Sequence, residues 1–142
     1  MENKLFIDTW GWLTLYDRDE TRHQETTQFY QQFRSQKGII YTTDYVLDET
    51  FTLLFKRVYA DKAKESMQIL TNAFQRPDFN LIWIDKVRFM KAQSFRIKFL
   101  DKPYISFTDL TSMVVMEELK ISQVLTEDAH FIQVNLGFER VP

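Results

Sequence analysis

The sequence contains no cysteine, so disulfides and thiolate metal sites are excluded outright. Histidine is nearly absent as well: His23 and His130 are too few and too far apart in the chain for an ordinary zinc site. With 3 Gly and 3 Pro, long flexible linkers are improbable. No run of apolar residues reaches membrane-spanning length. The opening residues MENKLFIDTW lack the apolar stretch of a signal peptide, so a reducing cytoplasm is the expected location. Charge of one sign is lacking too, the net being −2, which argues against a permanent coat on nucleic acid.

What is present is a core. The chain has 142 residues, the usual size of one domain, and it is read as one domain over 1–142. Hydrophobic residues make up 44% and aromatics 15%, too much for a disordered chain.

Short apolar runs alternate with helical periodicities. Lys4 to Asp8, Ile39 to Thr42, Phe79 to Ile84 and Ser122 to Thr126 read as strands, and Gly137 to Val141 as a short fifth. Between them, helices are expected over Trp10 to Tyr16, Thr21 to Gln36, the segment from Thr43, Asp61 to Phe74 and Asp85 to Ile97. Gly38 is the expected C-cap of the second helix. Ser106 to Leu119 is apolar on nearly every side, the mark of a buried helix. This order predicts an α/β fold, a three-layer α/β/α sandwich around a central parallel sheet of four to five strands. Ligand sites in such sheets lie beyond the carboxyl ends of the strands.

Four acids fall at that rim. Asp8 ends the first strand, Glu49 lies in the helix after the second, Asp109 in the first turn of the buried helix, and Asp128 just after the fourth strand. Glu49 borders the apolar arc of Val46 and Leu53, and Asp109 stands above Met113 and Met116. An unpaired buried charge costs several kcal/mol, and no Lys or Arg adjoins either position. One shared divalent cation would compensate all four. Oxygen ligands without cysteine favour Mg²⁺ or Mn²⁺ over zinc, and such ions suit phosphodiester hydrolysis. Each acid also has a plainer reading. Asp8 and Asp128 can cap helices, Ser106 to Asp109 fits a capping box, and Glu49 can be a solvated edge residue.

With these residues in view, the chain resembles the PIN-domain ribonuclease family, including the VapC-type toxins of toxin–antitoxin pairs. The matching segments are Phe6-Ile-Asp8-Thr9, Tyr45-Val-Leu-Asp-Glu49-Thr50, Ser106-Phe-Thr-Asp109 and Leu125-Thr126-Glu-Asp128-Ala-His-Phe131. The resemblance implies Mg²⁺- or Mn²⁺-dependent cleavage of RNA with Asp8, Glu49, Asp109 and Asp128 as catalytic metal-binding acids. It implies that Thr9, Ser106 and Thr126 orient the acids or a bound water. It also implies a homodimer and a small antitoxin protein laid in a groove, for which Phe29, Phe33, Phe51 and Phe55 are candidates, with membership of the core as the alternative. Asp48 beside Glu49, and Glu127 beside Asp128, leave the choice of acid open at two places.

Further residues admit two readings. Lys91, Arg96 and Lys98 belong to a basic stretch that is either an RNA-contacting patch or a solvated helix face. Trp10 and Trp12 read as core, with base stacking as the alternative. His130, beside Phe131, reads as structural, with a phosphate contact as the alternative. Competing functions are a catalytically silent PIN-like or receiver-like binding module, and a metal-dependent nuclease acting on DNA.

Overall fold

Five short strands carry the β-branched and aromatic residues that suit a buried sheet: β1 (Lys4–Ile7), β2 (Ile39–Thr43), β3 (Phe79–Ile82), β4 (Gln123–Leu125) and β5 (Glu139–Val141). They form one sheet in the order β3-β2-β1-β4-β5, and every pairing is parallel. Seven helices connect them: α1 (Thr9–Tyr16), α2 (His23–Ser35), α3 (Asp44–Arg57), α4 (Ala60–Ala73), α5 (Lys86–Lys98), α6 (Phe107–Glu118) and α7 (His130–Gln133). The structure, a computed structural model, describes residues 3–142, so the first two residues of the expected 1–142 unit lie outside the described residues. The α/β architecture with a central parallel sheet is as the alternation of patterns predicts.

The order of strands matters for function. The chain builds outward from β1 to β2 and β3, then returns to place β4 on the other side of β1. The direction of winding therefore reverses between β1 and β4, which opens a crevice at their carboxyl ends. Leu5, Phe6 and Ile7 are fully buried in the central strand, as are Val124 and Leu125 beside it.

Helix α6 is fixed by burial on all sides. Leu110 through Met116 are seven consecutive buried residues. Burying each large apolar side chain contributes about 1.5–3 kcal/mol, so this helix is held firmly by its packing. Its partner α5 runs antiparallel. Arg88 reaches Glu118 at one end (2.7 Å), and Arg96 reaches the Ile105 carbonyl at the other (2.6 Å).

Three details differ from the sequence reading. The left-handed residue ending α2 is Lys37, at φ 63°, and not Gly38. Gly38 is required for another reason: a Cβ there would lie 2.2 Å from the Phe33 ring. Strand β3 stops at Ile82, because the Ile84 amide leaves the ladder and donates to the Asp44 carboxylate at 2.7 Å. Among the groove candidates, Phe33 is buried and Phe29 and Phe51 pack on the core, while Phe55 is exposed. The described residues contain no helix long and apolar enough to cross a membrane.

Candidate active site

Asp8 follows the last residue of β1 and is at once the N-cap of α1, so strand turns to helix without a loop. One carboxylate oxygen accepts from the Gly11 amide at 2.9 Å. The other accepts from the Thr126 hydroxyl, which stands just after β4. The Thr126 oxygen in turn accepts from the Asp128 amide at 3.0 Å. One buried hydroxyl thus ties the acids on the two sides of the β1/β4 crevice together.

Ser106 caps α6, accepting from the Asp109 amide at 3.0 Å. That cap starts the helix so that Asp109, in its first turn, faces the same crevice. Asp128 accepts from the His130 amide at 2.9 Å and so shapes the turn into α7. The His130 ring then lies between two acids. Its Nδ1 is 3.0 Å from Asp128 Oδ2 and 3.3 Å from Asp109 Oδ2. The reading of His130 as a structural residue thereby gains its content: the ring bridges two of the four acids and packs 5.0 Å from that of Tyr104.

Asp8, Glu49, Asp109 and Asp128 line one hollow of about 350 Å³ together with Thr9 and Ser106. Trp10, Leu13, Leu53, Arg57, Tyr104 and His130 complete its wall. Asp48 and Glu127 are not part of that lining. The two tryptophans differ in their surroundings. Trp12 is buried, its indole N–H donating to the Thr42 hydroxyl at 3.1 Å, whereas Trp10 lines the hollow with the Arg22 guanidinium 5.5 Å above its ring.

The electrostatics are those of crowded acids. Burial is the largest influence on Asp8 and pushes its carboxyl from 3.8 to about 7, against the opposing hydrogen bonds from Thr126 and Gly11; Asp109 and Asp128 raise it further. Burial likewise lifts Asp109 to about 6. Among the described residues no Lys or Arg forms an ion pair with Asp8, Asp109 or Asp128. Asp109, Asp128 and His130 each offer one ligand atom, all within 4.8 Å of one another. Such a group of donors, predominantly oxygen and short of positive charge, fits a divalent cation.

Two expectations need correction. Glu49 is exposed, so the argument that burial forces a counter-ion on it fails; its place on the hollow rests on position alone. Arg96 is not a free cation. Its guanidinium donates to the carbonyls of Ile105, Phe99 and Lys102, which consumes it in shaping the loop before α6. Lys91 and Lys98 are exposed on α5 and outside the hollow. Lys91 adjoins Val114, Glu117 and Glu118, at the end of α6 remote from Asp109.

Sequence reasoning missed Arg57 and Tyr104. Arg57 follows Glu49 and Leu53 at successive intervals of four, the spacing of one helix face, and that periodicity is a usable signal. Tyr104 lies between helices and gives no such signal.

Comparison with known proteins bears on this arrangement. The sequence model of the PIN domain family matches residues 5–136. A VapC ribonuclease of Archaeoglobus fulgidus is 30% identical over 134 residues, covering 92% of this chain and 81% of the relative. The chain is a PIN-domain protein of the VapC ribonuclease family. Solved structures agree on the fold. This PIN domain superposes on the VapC20 toxin of Mycobacterium tuberculosis, described as cleaving the sarcin–ricin loop, with a TM-score of 0.81. Identity is 24%, and the match covers 96% of this chain and 98% of the other. It also matches VapBC2 of Rickettsia felis, solved with a DNA fragment from its promoter, at a TM-score of 0.70 and 12% identity. That match covers 98% of this PIN domain and 99% of the other chain.

Proposed function

We propose that this PIN domain is a divalent-metal-dependent endoribonuclease and the toxin of a type II toxin–antitoxin pair. The observation that carries the reading is the convergence of Asp8, Asp109 and Asp128 at the strand-order reversal, with Glu49 on the same hollow. Kinship with VapC ribonucleases supports RNA as the substrate and a small antitoxin as the partner.

In this reading Asp8, Asp109 and Asp128 hold Mg²⁺ or Mn²⁺, and Glu49 closes the site from α3. When bound, the ion would supply activation of water and neutralisation of charge on the phosphate. The chain's own residues organise that site. Thr126 fixes Asp8 and Asp128 relative to each other through one hydroxyl. Ser106 sets where α6 begins and so where Asp109 stands. His130, as the Nδ1–H tautomer, donates between Asp128 and Asp109 and holds the two carboxylates close together. Thr9 lines the hollow beside Asp8 and can orient a water there. Arg57 brings a cation to the edge of an otherwise acidic hollow, where a phosphate must enter. Homodimerisation belongs to the same reading, through kinship alone.

The deciding experiment incubates purified protein with single-stranded and structured RNA, and separately with DNA, in Mg²⁺, in Mn²⁺ and in chelator. Cleavage of RNA that requires the metal is expected. Metal-independent cleavage, or no cleavage of any RNA by protein shown to bind the ion, overturns the reading.

A further inference from the structure

A second hollow, of about 330 Å³, begins where the acidic one ends, and Arg57 lines both. The connection follows the surface of α3. Glu49, Leu53 and Arg57 occupy one helical face and line the acidic hollow in sequence. Eight residues of helix carry this track about 12 Å beyond Glu49, at 1.5 Å per residue. Beyond Arg57 the wall gains Arg18, Lys62 and Tyr59.

Tyr59 is 73% exposed, the most exposed large hydrophobic side chain among the described residues. It immediately precedes α4, and among the described residues its ring is packed on no other aromatic ring. Among the described residues, the acids in this wall, Asp17 and Asp19, form no ion pair with its cations. Asp17 is occupied in a local turn, accepting from the Asp19 amide at 3.0 Å, and Asp19 is exposed to water. Arg57 pairs with Glu20 at 3.8 Å, an exposed and loose pair of the kind worth little in stability. A phosphate can take the place of Glu20 at small cost. Arg18, Arg57 and Lys62 thus gather three cations within reach of a phosphate, with Asp17, Asp19 and the displaceable Glu20 as the nearby acids.

We propose that this second hollow receives the nucleotide flanking the cleaved bond of a single-stranded RNA, with Tyr59 stacking on its base and Arg57, Lys62 and Arg18 contacting its phosphates. The proposal rests on the nuclease reading above and adds where the strand leaves the site. Cations along the backbone path together with an aromatic platform are what sequence-tolerant recognition of single strands requires. The ion of the acidic hollow would meet one phosphate, and cations at the exit of that hollow would meet the next.

The test uses the full chain carrying Asp8→Asn, so that RNA survives the measurement, and a short fluorescein-labelled single-stranded RNA of mixed sequence. Binding is followed by anisotropy over a series of salt concentrations in Mn²⁺. Tyr59→Ala is expected to weaken binding roughly tenfold, and Tyr59→Phe to restore it. Lys62→Ala is expected to lower the salt slope by about 0.7, the increment for one phosphate contact on a single strand. Unchanged melting temperatures in these exposed-site variants separate a binding effect from a folding one.

If the parent binds RNA and these variants bind it equally well, the flanking-nucleotide site is wrong and the nuclease reading stands. If the wild-type protein neither binds nor cleaves RNA, both fall together. If the variants keep RNA affinity but lose capture of an acidic or apolar peptide, the hollow serves a protein partner and the proposal is overturned.

Discussion

Asp8 carries most of the electrostatic consequence of this fold. Its carboxyl is raised from 3.8 to about 7, chiefly by burial, so the folded chain holds a proton there more tightly than the unfolded chain does. Stability from this group is complete below the unfolded value and is lost as pH rises through about 4 to 7. Asp109, raised to about 6, acts in the same direction. Without metal, the melting temperature should therefore fall as pH increases from about 4 to above 7, by a loss on the order of a few kcal/mol. Asp8→Asn should flatten that slope and raise the melting temperature at pH 8, while abolishing RNA cleavage. Differential scanning calorimetry across pH checks the first part, and a wild-type slope in the variant would refute it. At this scale the sequence was partly legible. The positions of Asp8, Asp109 and Asp128 at strand and helix ends follow from local pattern, because caps and strand termini are local events. The roles of His130 and Arg57 are not, because they depend on which distant side chains face them. Glu49 shows the opposite error: its helical position suggested burial that the surrounding packing does not supply.

The elements are positioned by a few close approaches. Gly11 sits inside α1, where glycine ordinarily costs stability relative to alanine. Here a Cβ would lie 2.6 Å from the Leu125 carbonyl oxygen and 2.8 Å from Ile7 Cγ2, so glycine is what lets α1 lie directly over β1 and β4. Gly11→Ala should therefore destabilise by about 1–3 kcal/mol despite its better helix propensity. It should also reduce activity, because α1 begins at Asp8. Urea denaturation at fixed metal concentration measures the first effect, and a more stable variant would contradict the packing argument. The α5–α6 connection depends on Arg96 in the same way. Arg96→Ala removes three bonds from a charged donor to carbonyls and should cost about 1–3 kcal/mol after allowance for partial exposure. It should leave the salt slope of RNA binding unchanged, since this guanidinium is not free to meet phosphate. A reduced slope would restore Arg96 to the nucleic-acid surface. The helices themselves were readable from periodicity, and Ser106 caps α6 where sequence places it, while Asp85, read as the first helical residue, caps α5 instead. The end of α2 was not readable, because the choice between Lys37 and Gly38 turns on the Phe33 ring.

For the molecule as a whole, the proposed metal and the fold are linked by mass action. Mn²⁺ should raise the melting temperature, by about 2.7 kcal/mol of stabilisation at a hundredfold excess over its Kd. The rise should be larger at pH 7.5 than at pH 5, because protonated Asp8 and Asp109 compete with the ion. Thermal scans with millimolar Mn²⁺ at both pH values provide the check, and equal shifts at the two pH values would count against these acids as ligands. The sequence by itself determined the alternation of strands and helices, hence a parallel sheet, and it determined which carboxylates stand at element ends. Both are set by interactions between near neighbours in the chain. Only the tertiary structure decided that β4 returns to the far side of β1, that Thr126 joins Asp8 to Asp128, and that Arg57 of α3 lines the same hollow as the acids. Those are contacts between segments up to 118 residues apart, and their geometry is chosen by how whole layers pack rather than by any local preference.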